Sequence, residues 1–375
     1  MKIGIVGASG FVGNRAAEVF HAQGHEIRPI VRAASSIDRL TQKDLDYQLA
    51  NVFDQSALEV AFKGCDVVIH SILGSSGLIR GSVAPAYKAA QKAGVRRIIY
   101  LSSMIVHRSA PAIGTTEASP LVENQPFPTH AAKINAERKL LNLRKTGSVE
   151  VVIFRPGIVF GPRSRWVSDL ANQLSQGTAY FINQGKGVCN SVYIDNLIHG
   201  IELGMTTPEA DGEAFFVGDR EQVTWFDFYR PFADALGIDP AQIPSLTVPE
   251  FTHSWKQELI GSVRDSQFVQ KFLASVPDDL KQNLKNTVPK RNKSSNKSSV
   301  EIIEEVKKIE TKPEPIVTEM MAELQQSQYK LPFNKAERIL GYEPTVSFDE
   351  GCRRSIEWLS ESKQFDFPLK KCSNI

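Results

Sequence analysis

"KIGIVGASGFVG", residues 2–13, decides the fold. Ile3, Ile5 and Val6 make a short β-branched strand, and glycines follow at 7, 10 and 13. At Phe11 the pattern changes to the helical spacing of "FVGNRAAEVFHAQG" (11–24). The same change of period recurs down the chain. "EIRPIVR" (26–32), "CDVVIHSI" (65–72), "RRIIYLSS" (96–103) and "VEVVIFRPG" (149–157) are nearly continuous apolar runs, as expected of strands covered on both faces. "QSALEVAFKG" (55–64) and "VAPAYKAAQKAG" (83–94) have helical spacing, and the glycine closing each is a good C-terminal stop. This alternation predicts an α/β fold: a Rossmann-type doubly wound parallel sheet with a smaller C-terminal substrate lobe.

The glycines then acquire a chemical reading. Gly7 turns the chain off the strand, Gly10 admits a pyrophosphate, and Gly13 lets helix pack on sheet. Ser9, Phe11 and Val12 belong to the same turn, whose helix N-terminus offers N–H groups and a positive dipole end to phosphate. The second strand ends in Arg32 instead of a carboxylate. A guanidinium suits a ribose 2′-phosphate, so NADP is favoured over NAD, with Ser35 and Ser36 as added hydroxyls. A solvated Arg32 stacking on adenine is the other reading.

Composition narrows the class. The 375 residues are 42% hydrophobic and 23% charged, with net charge +2, which gives no electrostatic case for nucleic acid. Four scattered cysteines form no CxxC pair, so neither a disulfide framework nor a metal site is expected, and a reducing cytoplasm suffices. No charged leader precedes the first strand, and no apolar run approaches the ~20 residues of a membrane helix.

Three regions are expected along the chain. Residues 1–160 form the dinucleotide-binding domain, with strand returns up to about 220. Residues 161–284 and 316–375 form the substrate lobe. Residues 285–315, Lys/Ser-rich and then mixed in charge, read as a solvated, flexible insertion. Within the lobe, "VSDLANQLSQG" (167–177) reads as a helix, "SVYIDNLIHGIELGM" (191–205) as strand into helix with Asp195 as N-cap, and "EAFFVG" (213–218) as a strand. "TWFDFYRPFADALG" (224–237) opens with a capping-box pattern, Thr224 and Asp227. In 253–284, Trp255, Leu259, Val263, Phe268, Phe272 and Leu273 alternate with lysines. Packing against the lobe and a peripheral membrane contact are both compatible with that pattern.

Taken together, "GASGFVG" (7–13), "LSS" (101–103), "KINAE" (133–137), "RPGIVFGP" (155–162), "VYIDN" (192–196) and "KAERILGYEP" (335–344) resemble the extended short-chain dehydrogenases/reductases of the NAD-dependent epimerase/dehydratase type. The resemblance covers roughly 1–240 and 329–360. It implies an NAD(P)-dependent enzyme acting on a hydroxyl or carbonyl carbon of a nucleotide sugar or other small molecule, with a homodimer as a possible assembly. It places Asn51 and Val52 beside adenine, and His70, Ser71 and Ile72 along the dinucleotide. Ser103 falls at the serine that orients the reacting oxygen, and Lys133 at the lysine that holds the nicotinamide ribose. Arg155, Pro156 and Gly157 fall beside the nicotinamide. The "VYIDN" spelling also resembles the 3β-hydroxysteroid dehydrogenase branch.

Two departures stand out. In "FPTHAAKINAE" (127–137) the residue four before Lys133 is Thr129, where the family has a tyrosine. An aliphatic hydroxyl cannot be tuned toward neutrality as a phenol can, so Thr129 cannot be the usual proton donor. The proton is expected to pass through water held by Thr129, or through His107, four residues past Ser103. His130 titrates in the right range but points about a hundred degrees away from Thr129 on a helix. Glu117 reads as a solvated loop residue. The second departure is the lack of an arginine at Asn190 or Ser191, where relatives clasp a diphosphate; Arg163 and Arg165 are candidate substitutes. A non-catalytic NAD(P)-binding sensor or assembly protein is the alternative function.

Overall fold

The computed structural model describes residues 1–41, 44–251 and 313–362. The expected insertion up to residue 312 and the amphipathic segment 253–284 lie outside the described residues. Seven strands build the main sheet: β1 (Lys2–Val6), β2 (Glu26–Val31), β3 (Gln48–Leu49), β4 (Val67–His70), β5 (Arg97–Leu101), β6 (Glu150–Pro156) and β11 (Ala214–Val217). Their order is β11-β6-β5-β4-β1-β2-β3, and every neighbouring pair is parallel. The order reverses between β1 and β4, where Ile5 pairs with Ile69 and Val6 with His70. Such a reversal opens a crevice at the carboxyl ends of the strands.

The strand runs are apolar on both faces because both faces are covered. Helices α1 (Phe11–Ala22) and α6 (Ile194–Thr206) cover one side, where Ile3, Ile5, Ile69 and Ile99 pack with Phe20, Leu197 and Ile201. Helices α2 (Gln55–Phe62), α3 (Ser76–Ala93) and α4 (Pro128–Arg144) cover the other, where Val6, Val68, Ile98 and Ile153 meet Phe62, Val83 and Ala136. Gly94, in the left-handed region at φ 75°, ends α3 as its position predicts. That helix starts seven residues before the expected 83. The hydroxyl of Ser75 caps it by accepting from Leu78 N at 3.3 Å, and Gly81 brings the backbone against the ring of Phe53.

After β6 the chain leaves the sheet, and it returns only at β11. Between them lie β7 (Ile158–Phe160), α5 (Arg165–Gln176), β8 (Phe181–Ile182), β9 (Val188–Cys189), β10 (Ser191–Tyr193) and α6. Beyond β11 come β12 (Val223–Thr224), α7 (Trp225–Ala235), β13 (Ser245–Leu246), α8 (Glu319–Gln325), α9 (Asn334–Leu340) and α10 (Phe348–Glu361). Thr224 and Asp227 form the expected capping box of α7. Asp195 is not an N-cap. Tyr193 holds that place, and Asp195 sits in the first turn of α6, paired with Arg15 of α1 at 2.6 Å and with Arg354 of α10 at 3.4 Å. Both ends of the excursion between β13 and α8 attach to one short stretch. Phe181 N donates to Pro244 O, Thr318 N donates to the Tyr180 hydroxyl, and Ile182 N donates to Gln325 Oε1.

Candidate active site

The crevice begins at the first turn. Gly7 has φ 86°, and its carbonyl accepts from Gly10 N at 2.9 Å. Gly10 is the N-cap of α1 and offers no side chain, so no side-chain oxygen takes up the first amides of the helix. A Cβ on Gly13 would stand 2.8 Å from Ser71 Oγ and closer still to Gly7 O. Ser71 Oγ donates to Val6 O at 2.8 Å, which ties the ends of β4 and β1 together at the switch point. Ser9, Phe11 and Val12 are half-buried beside this turn. The result is a cradle of backbone into which a pyrophosphate fits and a side chain does not.

Just past β2, Arg32 is exposed, and its guanidinium has no hydrogen-bond or ion-pair partner among the described residues. Asn51 Oδ1 accepts from Phe53 N at 3.1 Å, which fixes the Asn51–Val52 turn. His70 is buried, and neither ring nitrogen has a hydrogen-bond partner among the described residues. Its ring lies 5.6 Å from that of Tyr100, its register partner on β5. Burial, helped by the charge of Lys133, pushes the His70 pKa down to about 3, so the ring is neutral.

Helix α4 begins at Pro128, which suits a first turn whose amides lack partners. Spacing of four puts Thr129 and Lys133 on one face. Lys133 is buried, and its Nζ donates to Leu101 O at 2.6 Å and to Ile72 O at 3.5 Å. The ammonium thus joins the ends of β4 and β5. It also stands 5.1 Å from the centre of the Tyr100 ring. Burial lowers its pKa to about 8, against the opposing pull of Glu137. Thr129 is half-buried. Ser103 is also half-buried and caps the turn Met104–His107. Its Oγ accepts from Ile105 N and donates to Pro156 O, both at 3.4 Å.

Behind these groups lies a network that only the fold assembles. Arg155 donates to Glu137 Oε1 at 3.1 Å and Oε2 at 2.6 Å, both side chains being almost fully buried. Its Nη1 meets His107 Nε2 at 3.1 Å and Glu117 O at 3.1 Å. Burial and the adjacent guanidinium push the His107 pKa down to about 4. A neutral His107 therefore uses the Nε2 lone pair to accept from Arg155, and has no proton to give on that nitrogen. Glu117 is not simply solvated, because its Oε1 accepts from Phe216 N at 2.9 Å. His130 is buried against Phe127, with its pKa lowered to about 4 by burial.

Each of the two candidate arginines has a carboxylate neighbour. Arg163 pairs with Glu18 and donates to Thr41 Oγ1 at 2.6 Å, while Arg165 points to Asp169. Asn190 Nδ2 donates to Tyr329 O and its Oδ1 accepts from Leu331 N, and Ser191 donates to the buried Asp219. Sequence reading passed over Glu137 as a partner and Arg108 altogether. Arg108 has φ 76° and ψ 163°, a conformation that only glycine adopts freely. Nothing in its neighbours announces this.

A sequence profile of the NAD dependent epimerase/dehydratase family matches residues 3–218. Over 259 residues the chain is 25% identical to a 3 beta-hydroxysteroid dehydrogenase/Delta 5-->4-isomerase of Mycobacterium tuberculosis, covering 63% of this chain and 70% of that one. It is 26% identical over 300 residues to UDP-glucose 4-epimerase of Vibrio cholerae, covering 74% and 86%. It is 25% identical over 257 residues to 2-alkyl-3-oxoalkanoate reductase of Stenotrophomonas maltophilia, covering 63% and 76%. Among solved structures, DesIV (dTDP-glucose 4,6-dehydratase) from Streptomyces venezuelae, with NAD and TYD bound, superposes with a TM-score of 0.67. That match covers 96% of this chain and 98% of that one at 18% identity, a likeness of fold.

Proposed function

The chain belongs to the NAD-dependent epimerase/dehydratase family, and from that premise we propose an NADP(H)-dependent enzyme that transfers hydride at a hydroxyl- or carbonyl-bearing carbon of a small molecule. One observation carries the reading: the glycine cradle and the buried Lys133 ammonium stand at the same edge of the sheet, joined through Ser71 and Ile72. The amides of the α1 first turn hold the pyrophosphate, and Gly13 keeps the helix close enough to do so. Arg32 holds the 2′-phosphate, a preference supported by its guanidinium having no partner among the described residues. A bound nicotinamide would supply or accept the hydride. Lys133 binds the nicotinamide ribose through the donor capacity that Leu101 and Ile72 leave. Ser103 orients the reacting oxygen. Thr129 holds a water that carries the proton, and His107 serves instead to fix Arg155.

The missing phenol at Thr129 keeps a second reading in play, a dinucleotide-binding protein that does not catalyse. Calorimetric titration with NADPH and NADH tests the first reading. NADPH should bind at least tenfold more tightly, and Arg32→Ala should remove the difference. A carbonyl substrate panel with NADPH then separates the readings: tight cofactor binding without hydride transfer favours the second.

A further inference from the structure

A second concavity lies just past the catalytic serine, under the loop 108–122. It has a volume of about 460 Å³, in the range of small-molecule sites. Its lining begins at His107, the last residue of the four-residue turn that Ser103 caps. Ala110, Ala112, Ile113, Pro120 and Val122 supply apolar walls, and Ile113 is 76% exposed. The polar lining is mostly used up. Thr115 Oγ1 donates to Ala112 O, Ser119 Oγ accepts from Thr116 N, and His107 is held by Arg155. Arg108 remains. Among the described residues its guanidinium makes one hydrogen bond, a 3.3 Å contact to Asn124 O, and the residue is exposed where it lines the cavity.

The backbone of Arg108 makes that cation informative. A non-glycine residue in this region is strained, and such strain collects at functional sites. Glycine would relax the turn, yet the chain carries arginine there. We propose that this cavity is the substrate's tail subsite, and that the substrate class is an apolar keto or hydroxy acid with its single carboxylate on Arg108. This rests on the reading of the crevice as a hydride-transfer site. One guanidinium over apolar walls matches one carboxylate on an aliphatic body. A nucleoside diphosphate brings more charge than this cavity answers.

Decanoate, decanamide and UDP should be titrated calorimetrically into the full chain, with and without saturating NADPH. Decanoate should bind at least tenfold more tightly than decanamide, and UDP more weakly than decanoate. Arg108→Gly should erase the preference for decanoate, leave decanamide unchanged and raise the melting temperature, whereas Arg108→Lys should keep part of the preference. Equal binding of the two decanoyl compounds, no binding of either, tighter UDP, or an Arg108→Gly protein that still prefers decanoate would each overturn the proposal. Failure to bind NADPH would count against the hydride-transfer reading alone, since the comparison without cofactor still reads the subsite.

Discussion

Arg155 of β6 and Glu137 of α4 meet in a two-pronged ion pair that is almost fully buried. The strand that delivers Pro156 and the helix that carries Thr129 and Lys133 are thereby held at one spacing. Breaking a buried pair by removing one partner leaves an uncompensated charge. Glu137→Ala should lower unfolding free energy by about 3–5 kcal/mol in urea titrations. A loss below about 1 kcal/mol would mean that Arg155 finds water instead.

Lys133 makes a prediction about pH. Its pKa falls from an ordinary 10.5 to about 8 on folding. The unfolded chain therefore binds more protons between those two values, and stability rises with pH across that window. Below pH 8 the lysine is charged in both states and its burial is unfavourable. Lys133→Met should abolish a rise of roughly 3 kcal/mol between pH 8 and 10.5, measured as the difference between the two proteins. Parallel pH profiles would show that Lys133 keeps its ordinary pKa.

Gly13→Ala tests the cradle. The added methyl meets Ser71 Oγ and Gly7 O, both fixed by hydrogen bonds. Overpacking of this kind costs about 1–3 kcal/mol. Thermal melts should show that loss, and NADPH binding should weaken at least tenfold as the turn shifts. Unchanged affinity would place the pyrophosphate elsewhere.

Thr129→Tyr restores a titratable hydroxyl one turn before Lys133. General acid–base groups contribute 10²–10⁴-fold to rate, so turnover of a carbonyl substrate should rise while NADPH affinity stays constant. A fall in turnover from an active native protein would make threonine part of an adapted site.

What could be read from the sequence followed from contacts close in the chain or imposed on every residue of an element. The strands were legible because both faces of the sheet are covered, and the glycine cradle because its demands are local. The first turns of α3 were not, since Gly77 and Gly81 weaken the helical signal and the reason for Gly81 is Phe53, far upstream. Asp195 looked like a cap because Arg15, 180 residues away, was invisible to it. The contacts of His107 and Glu117 were hidden for the same reason: Arg155 and Phe216 lie far along the chain.

The meeting of Pro244, Thr318 and Gln325 on residues 180–182 has a consequence for how the gene can change. The two ends of the intervening stretch are fastened to the lobe independently of whatever lies between them. Closing a longer loop adds only about 0.6 kcal/mol per doubling of length. Sequence between residues 251 and 313 can therefore be lengthened, shortened or exchanged by recombination while these three attachments and the crevice stay as they are.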